Sequence, residues 1–474
     1  MTARAARLRP HLPLLVLVAA GVALRGLLML DYRPAALSNP DSARFLHFAH
    51  YPDGLFDDHF GPSGYAAFLK LTRAIWDQFE ATIALQHLFG IAAALLLYAA
   101  VRRTGVPRWA ALVPAAVGLL WGDLVYLEHA PLSESPFLLL AAGGLDAAVR
   151  GIEREGRWLA WLALAGALLA SAALFRNVGL VLAPVAIVWA FAAAAGPWRS
   201  RLLSAGAVAG AAALVIGGYV AVAAIDGGTS GISDVSGWNA YGRAAPFADC
   251  ERFDPPKGTR FLCEHRPASR RPGSLFYLWF DGSPARARFG HPPIGNDKLG
   301  GWGRAAILAQ PFDYVRDVLR QLPRFVDPGA YHRRYTGGGP FSIARRNPAA
   351  EKLVEFDVRR DYDAARLHVG AGVERVAEWQ NTERLGGLVP GLLVVLALLG
   401  PILARGAARR AALLFALAGG GLVLLPAATL TLIARYAVPP TPLIAAAAGI
   451  GAWGVAERVR RLRASRARTR GHAA

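Results

Sequence analysis

Charge is scarce in this chain, and lysine scarcer still. Charged residues make up 18% of the 474, against roughly 25% in soluble domains, and Lys70, Lys257, Lys298 and Lys352 are the only lysines among 52 basic residues. With 54% hydrophobic residues and a mean hydropathy of +0.33, an ordinary soluble protein is excluded and a polytopic membrane protein is implied. No Gly-rich phosphate loop of the Walker or dinucleotide type stands in a suitable context. The connections expected in the cytoplasm are only a few residues long, too short for a nucleotide-binding domain, so soluble nucleotide donors and ATP-driven transport are poor readings. No internal repeat of the kind that builds transporters is evident. A formal charge of +19 would suggest nucleic acid in a soluble chain, but here its placement beside apolar spans decides, and no nucleic acid is implied. No small-residue cleavage site closely follows the first apolar run, which therefore reads as a retained anchor. Cysteine is limited to Cys250 and Cys263. Both fall in a long polar insert, where oxidising conditions permit a disulfide; two free thiols are the other reading.

What is abundant is apolar sequence in lengths of about 20 residues, the thickness of a bilayer. Ten stretches qualify, roughly 12–30, 81–101, 109–126, 132–149, 158–175, 178–195, 202–225, 386–404, 411–432 and 437–456. The fold class expected is an all-α polytopic membrane protein of about 10 transmembrane helices, with a mainly helical external insert between spans seven and eight. Its parts are an N-terminal transmembrane catalytic module over 1–225 (first external loop 31–80), the external insert 226–385, the C-terminal spans within 386–456 and a basic tail, 457–474. Placing the N-terminus in the cytoplasm puts 21 of the 28 basic residues outside the insert on that side. The positive-inside rule then sets both termini inside, in a plasma membrane of the bacterial inner-membrane type.

That sidedness gathers polar chemistry on the outer face. The stretch NPDSARFLHFAHYPDGLFDDHFGPSGYAAFL, 39–69, carries Asp41, His47, His50, Asp53, Asp57, Asp58 and His59. Asn39 and Pro40 form a helix start that puts Asp41 in the first turn. There it is either a macrodipole-compatible acid or a general base for an acceptor hydroxyl. Asp57, Asp58 and His59 are solvated loop residues or ligands of a divalent metal, though no closed ligand set is visible. Tyr65, Phe68, Leu69, Ile75, Trp76 and Phe79 predict one apolar face of an interfacial helix on membrane lipids. Glu128, His129 and Glu134 fall between spans three and four. Arg176 and Arg435, followed by Tyr436, stand between apolar runs, where a charge is costly; they either snorkel or hold an anionic headgroup. Arg25 either snorkels or faces the bundle interior. In the insert, Ile307, Phe312, Val315, Leu319 and Leu322 predict one broad apolar stripe, opposite Asp313, Arg316, Asp317 and Arg320.

Several of these pieces together resemble the GT-C superfamily of polytopic glycosyltransferases. The branch is that of protein O-mannosyltransferases, lipid A aminoarabinose transferases and related mannosyl and arabinosyl transferases. The matching elements, in order, are PDSARF, GPSGYAAFLKL, QHLFGIAAALLLYAAVRRTG, LSESPF, LFRNVGLVLAP and ARYAVPPTPL. The resemblance implies an enzyme that transfers a hexosyl or pentosyl group from a polyprenyl-phosphate donor, with inversion, to an envelope glycan, lipid or protein. By motif match it implies Asp41 as the catalytic acid, with Arg176, Arg435, Tyr436 and Arg25 on the departing lipid phosphate. Glu134, His129, Glu128, Asp58, His59 and Tyr65 then line or support the acceptor side. Ser42 after Asp41, Phe45 where Tyr is common, Ser63 inside the GPSGY segment, and soluble mass between spans rather than at the C-terminus depart from the pattern. They leave the acceptor and any metal requirement open. The alternatives are a lipid or lipid-linked-sugar flippase and a non-catalytic envelope assembly protein.

Overall fold

The computed structural model describes residues 9–51, 54–153, 156–226, 231–327, 343, 346–383 and 388–471. Asp53, named above, lies outside the described residues.

The apolar runs become helices in chain order: α1 (Leu12–Asp31), α2 (Pro40–His50), α3 (Gly64–Ile75), α4 (Phe79–Arg103), α5 (Arg108–Leu120), α6 (Gly122–His129), α7 (Glu134–Ile152), α8 (Trp158–Ala173), α9 (Leu182–Ala193) and α10 (Trp198–Ile225). The insert contributes α11 (Ser236–Ala244), α12 (Asn296–Ala309), α13 (Pro311–Gln321), α14 (Pro348–Asp361) and α15 (Gly372–Glu383), with shorter turns between. The chain closes with α16 (Leu388–Leu403), α17 (Gly406–Thr429), α18 (Ala434–Ala437) and α19 (Thr441–Gly471). Among the described residues β structure is confined to two-residue strands, β1 (Tyr32–Arg33) antiparallel to β2 (His368–Val369), and one isolated bridge.

Among the described residues five helices, α1, α4, α7, α10 and α17, are long and apolar enough to cross a membrane. The pair α5 and α6, bent by 46° about Trp121, makes a sixth if counted as one span. Three shorter apolar helices, Trp158–Ala173, Asn177–Ala193 and Leu388–Leu403, occupy three more of the ten expected stretches. The last stretch opens α19, which continues as helix through the basic tail to Gly471. The bundle packs α7 on α4 and α8, α8 on α10, α5 on α1 and α4, and α19 on α5, α16 and α17.

Within 226–385 the packing falls into two parts. Residues from Val235 to Ala306 close their own aromatic core around Trp238, Tyr241, Tyr277 and Trp302, and Cys250 and Cys263 are joined there by a disulfide. Val318, Phe325, Val354, Val358 and Val376 instead join the core of the bundle. This second part clamps the segment around Asp41. α14 lies on α2, the Ser38 hydroxyl donates to Glu351 at 2.7 Å, and the Tyr362 hydroxyl donates to the Leu69 carbonyl at 2.9 Å.

One helical face differs from expectation. Tyr65, Leu69 and Phe79 are buried, but Ile75 and Trp76 are exposed, because α3 ends at Ile75 and Phe79 already belongs to α4. In α13 the stripe of Phe312, Val315 and Leu319 faces outward. The inward positions are taken by side chains with polar partners, Gln321 through hydrogen bonds and Asp317 through an ion pair with Arg243 among them.

Candidate functional site

Four residues far apart in sequence meet at one end of the bundle. Asp41 is there because Asn39 caps α2, its side-chain oxygen accepting the Asp41 N–H at 3.0 Å, while Pro40 fixes the first turn. Glu134 is the first residue of α7, and Arg176 follows the end of α8. Arg435 lies on the short α18 between two long helices. Gly64 lets the chain come this close: its N–H donates to the Leu174 carbonyl at 2.9 Å, and a Cβ would stand 2.3 Å from that oxygen.

Arg435 bridges the acids. Its Nη1 donates to Asp41 and its Nε to Glu134, with Nη2 3.5 Å from the second Glu134 oxygen. Arg176 pairs with the same Glu134 carboxylate and lies 3.4 Å from the Ser133 hydroxyl, its guanidinium 5.5 Å from the Tyr436 ring. Its Nε–H is buried with no acceptor among the described residues, an arrangement that normally costs about 1–3 kcal/mol. A cleft of about 100 Å³ opens onto this group. It is lined by Asp41, Arg44, Ser133, Arg176, Arg435 and Tyr436, with Phe60, Gly61, Pro62 and Asn177 at its sides.

The two carboxylates are not equivalent. The Asp41 side chain is 48% exposed and that of Glu134 2%, so of the two only Asp41 is open to solvent, while Glu134 holds the two arginines from behind. Burial in the cleft acts to raise the Asp41 carboxyl, but the charges of Arg435 and Arg44, helped by the Arg435 hydrogen bond, outweigh it and hold the group below its ordinary 3.8.

The other sequence candidates lie elsewhere. Arg25 does not line the cleft. It faces the bundle interior, with Nε and Nη2 each 2.7 Å from the Glu128 carboxylate and Nη1 on the carbonyls of Gly21 and Leu119. With those donors occupied it has none to turn toward a phosphate. Glu128 also accepts from or donates to His87 Nδ1 at 3.0 Å according to protonation, and His87 Nε2 meets His129 Nδ1 at 3.0 Å. His129 Nε2 then donates to the Tyr32 carbonyl at 2.7 Å. Tyr65 is buried, its hydroxyl donating to Gln86 at 2.7 Å. Asp58 is taken by Arg44 and the Phe60 N–H, and His59 faces Asp234 at 3.0 Å. Asp57, Asp58 and His59 thus do not converge as ligands. Among the described residues no group of three or more His, Cys, Asp or Glu is placed to hold a metal ion.

No protein-family model matches the chain, and no curated protein matches it. Among solved structures it is similar to the archaeal oligosaccharyltransferase AglB from Archaeoglobus fulgidus in complex with an inhibitory peptide and a dolichol-phosphate (TM-score 0.49, 14% identity, 96% of this chain and 52% of that one). It is also similar to the A. fulgidus oligosaccharyltransferase in complex with Zn and sulfate (0.42, 15%, 92% and 48%) and to ArnT from Cupriavidus metallidurans in the apo state (0.36, 15%, 93% and 75%). Both are GT-C glycosyltransferases. The chain spans about half the length of the oligosaccharyltransferase chains it matches.

Three polar residues of the cleft, Arg44, Ser133 and Asn177, were not among the site residues read from the sequence. Arg44 stands three residues after Asp41 on the same helix, so helical spacing alone would have placed both on one face. Ser133 and Asn177 are immediate neighbours of Glu134 and Arg176 and carried no separate signal. In the buried group, Gln86 and His87 were marked by being two adjacent polar residues inside an apolar run.

Proposed function

We propose that the protein is a membrane glycosyltransferase that moves a sugar from a polyprenyl-phosphate donor to a hydroxyl-bearing envelope acceptor on the outer face of the membrane. The observation that carries this reading is Arg435 bridging a half-exposed and a sealed carboxylate beside Arg176, all on one cleft. In the reaction the donor phosphate enters between Arg176 and Arg435 and takes the vacant Arg176 Nε–H. Arg435 shifts part of its hydrogen bonding from Asp41 to phosphate oxygen, leaving Asp41 free to accept. The acceptor hydroxyl oxygen attacks the anomeric carbon as its proton passes to the Asp41 carboxylate. The sugar–phosphate C–O bond breaks with its electron pair going to the phosphate, and the anomeric configuration inverts. Two guanidiniums facing the departing charge supply electrostatic stabilisation where it develops. Glu134 keeps both arginines in place, and Tyr436 covers the Arg176 guanidinium face.

The test is the purified full chain in lipid nanodiscs, given a panel of polyprenyl-phosphosugars and envelope acceptors, with mass spectrometry of envelope glycans from cells with and without the gene. Sugar transfer to one acceptor, with accumulation of its lipid-linked donor when the gene is absent, is the expected result. Passage of a lipid-linked sugar across sealed vesicles with no covalent product contradicts it.

A further inference from the structure

The transfer reaction makes no use of α13, whose surface is inverted for a helix in water. Phe312, Val315 and Leu319 recur at helical spacing and are 84%, 49% and 56% exposed. The opposite face carries the polar contacts. The Tyr314 hydroxyl donates to the Ala428 carbonyl at 3.0 Å, and Asp317 pairs at 2.5 Å with buried Arg243. Gln321 Oε1 accepts the Leu432 N–H at 2.9 Å and the Thr431 hydroxyl at 3.0 Å.

These contacts also fix how the helix lies. Tyr314 and Gln321 are two turns apart, about 10 Å along the axis, yet both meet the short segment 428–432 where α17 ends. α13 therefore packs at the end of an apolar helix that is long enough to cross a membrane. Along α17 itself Leu413, Leu417 and Leu424 are exposed at helical spacing. Beside the stripe stand Arg316 and Arg320, both exposed.

We propose that α13 is an interfacial helix. Phe312, Val315 and Leu319 insert at the headgroup–acyl boundary, and Arg316 and Arg320 bind anionic lipid phosphates. A bilayer is favoured over a protein partner because the helix packs at the end of a span and its apolar stripe is flanked by the exposed Arg316 and Arg320, the arrangement that membrane-surface helices share. The helix thereby anchors the half of the insert that clamps α2. The inference goes beyond sugar transfer and needs no substrate.

Cys250 and Cys263, bonded to each other, are the only native cysteines, so one introduced thiol takes a fluorescent label alone. The full chain is labelled at Phe312→Cys, Val315→Cys or Leu319→Cys, with exposed Asp281→Cys as control. Each is placed at one copy per nanodisc of phosphatidylcholine, with or without phosphatidylglycerol. The three α13 labels are expected to be quenched at least about threefold more by nitroxide-labelled lipid than the control, and to be shielded from aqueous iodide. In the phosphatidylglycerol discs, Arg316→Gln and Arg320→Gln each lower the docked-to-undocked ratio by about fivefold. Quenching by iodide and not by lipid overturns the proposal. Shielding from both quenchers also overturns it, and points to a second copy if it grows with copies per disc. Equal docking with and without phosphatidylglycerol overturns the role given to the arginines.

Discussion

Arg435 and Arg25 each hold a carboxylate in the same bundle, yet the Asp41 side chain under Arg435 is 48% exposed and the Glu128 side chain under Arg25 is 4% exposed. The Arg25 group is closed on itself: Glu128, His87 and His129 pass hydrogen bonds to the Tyr32 carbonyl, and the His129 carbonyl accepts the Ala36 N–H at 3.0 Å. It fastens α6 and α1 to the segment leading into α2, and so sets where Asp41 stands without facing a ligand. The Arg435 group likewise pairs arginine with acid but opens on a cleft, with an Arg176 donor behind it that has no acceptor among the described residues. Arginine with acid near a membrane boundary is therefore no site by itself; what separates the two is access and an unspent donor.

The largest effect expected from breaking this contrast is on rate. Asp41→Asn keeps the shape of the group and removes the base, so turnover should fall by about 10²–10⁴ with the thermal unfolding midpoint in detergent unchanged; near-normal turnover refutes the role of Asp41. The mirror-image experiment acts on stability. Glu128→Ala strands a buried guanidinium and should cost about 3–5 kcal/mol, whereas Arg25→Met with Glu128→Leu, removing both charges, should recover most of it. Calorimetry of the three proteins checks this, and an undiminished Glu128→Ala protein contradicts the structural reading of the sealed group.

Gly90→Ala sharpens the same side. A Cβ there would lie 1.9 Å from Glu128 Oε1, so the carboxylate must move off Arg25, and a loss of about 1–3 kcal/mol is expected without a specific loss of phosphate binding.

A smaller effect should appear with pH. Asp41 is held below 3.8, chiefly because the arginine charges overcome burial. Its contribution to stability is therefore present above the ordinary carboxyl value and lost as pH falls through the depressed folded value. Arg435→Gln removes the nearest cation, so the acid limb of the kcat/KM profile should move to higher pH. A limb that stays in place, or moves down, excludes Asp41 as the titrating base.

Much of the open site was legible in the sequence because its members break a local rule. Arg176 and Arg435 interrupt apolar runs, and Asp41 follows an Asn-Pro helix start. What periodicity leaves undecided is which way an amphipathic face turns. The stripe on α13 was visible as a stripe, but only the partners of Tyr314, Asp317 and Gln321 show that it faces outward. Arg25 was equally ambiguous, since a charge near a helix end reads the same whether it snorkels or pairs, and its partner Glu128 is 103 residues away. The GPSGY segment has a local cause, the approach of Gly64 to Leu174, which no single-chain pattern reveals.

The most direct measurement compares the two arginine groups for the same ligand, by equilibrium binding of a polyprenyl phosphate to the wild-type protein, Arg435→Gln, and the Arg25→Met, Glu128→Leu double variant in nanodiscs. Loss of a charge-assisted hydrogen bond to phosphate should weaken the Arg435→Gln protein by about tenfold or more, with the double variant within about twofold of wild type. Unchanged affinity in Arg435→Gln, or a loss confined to the double variant, would contradict the assignment of the phosphate to the open cleft.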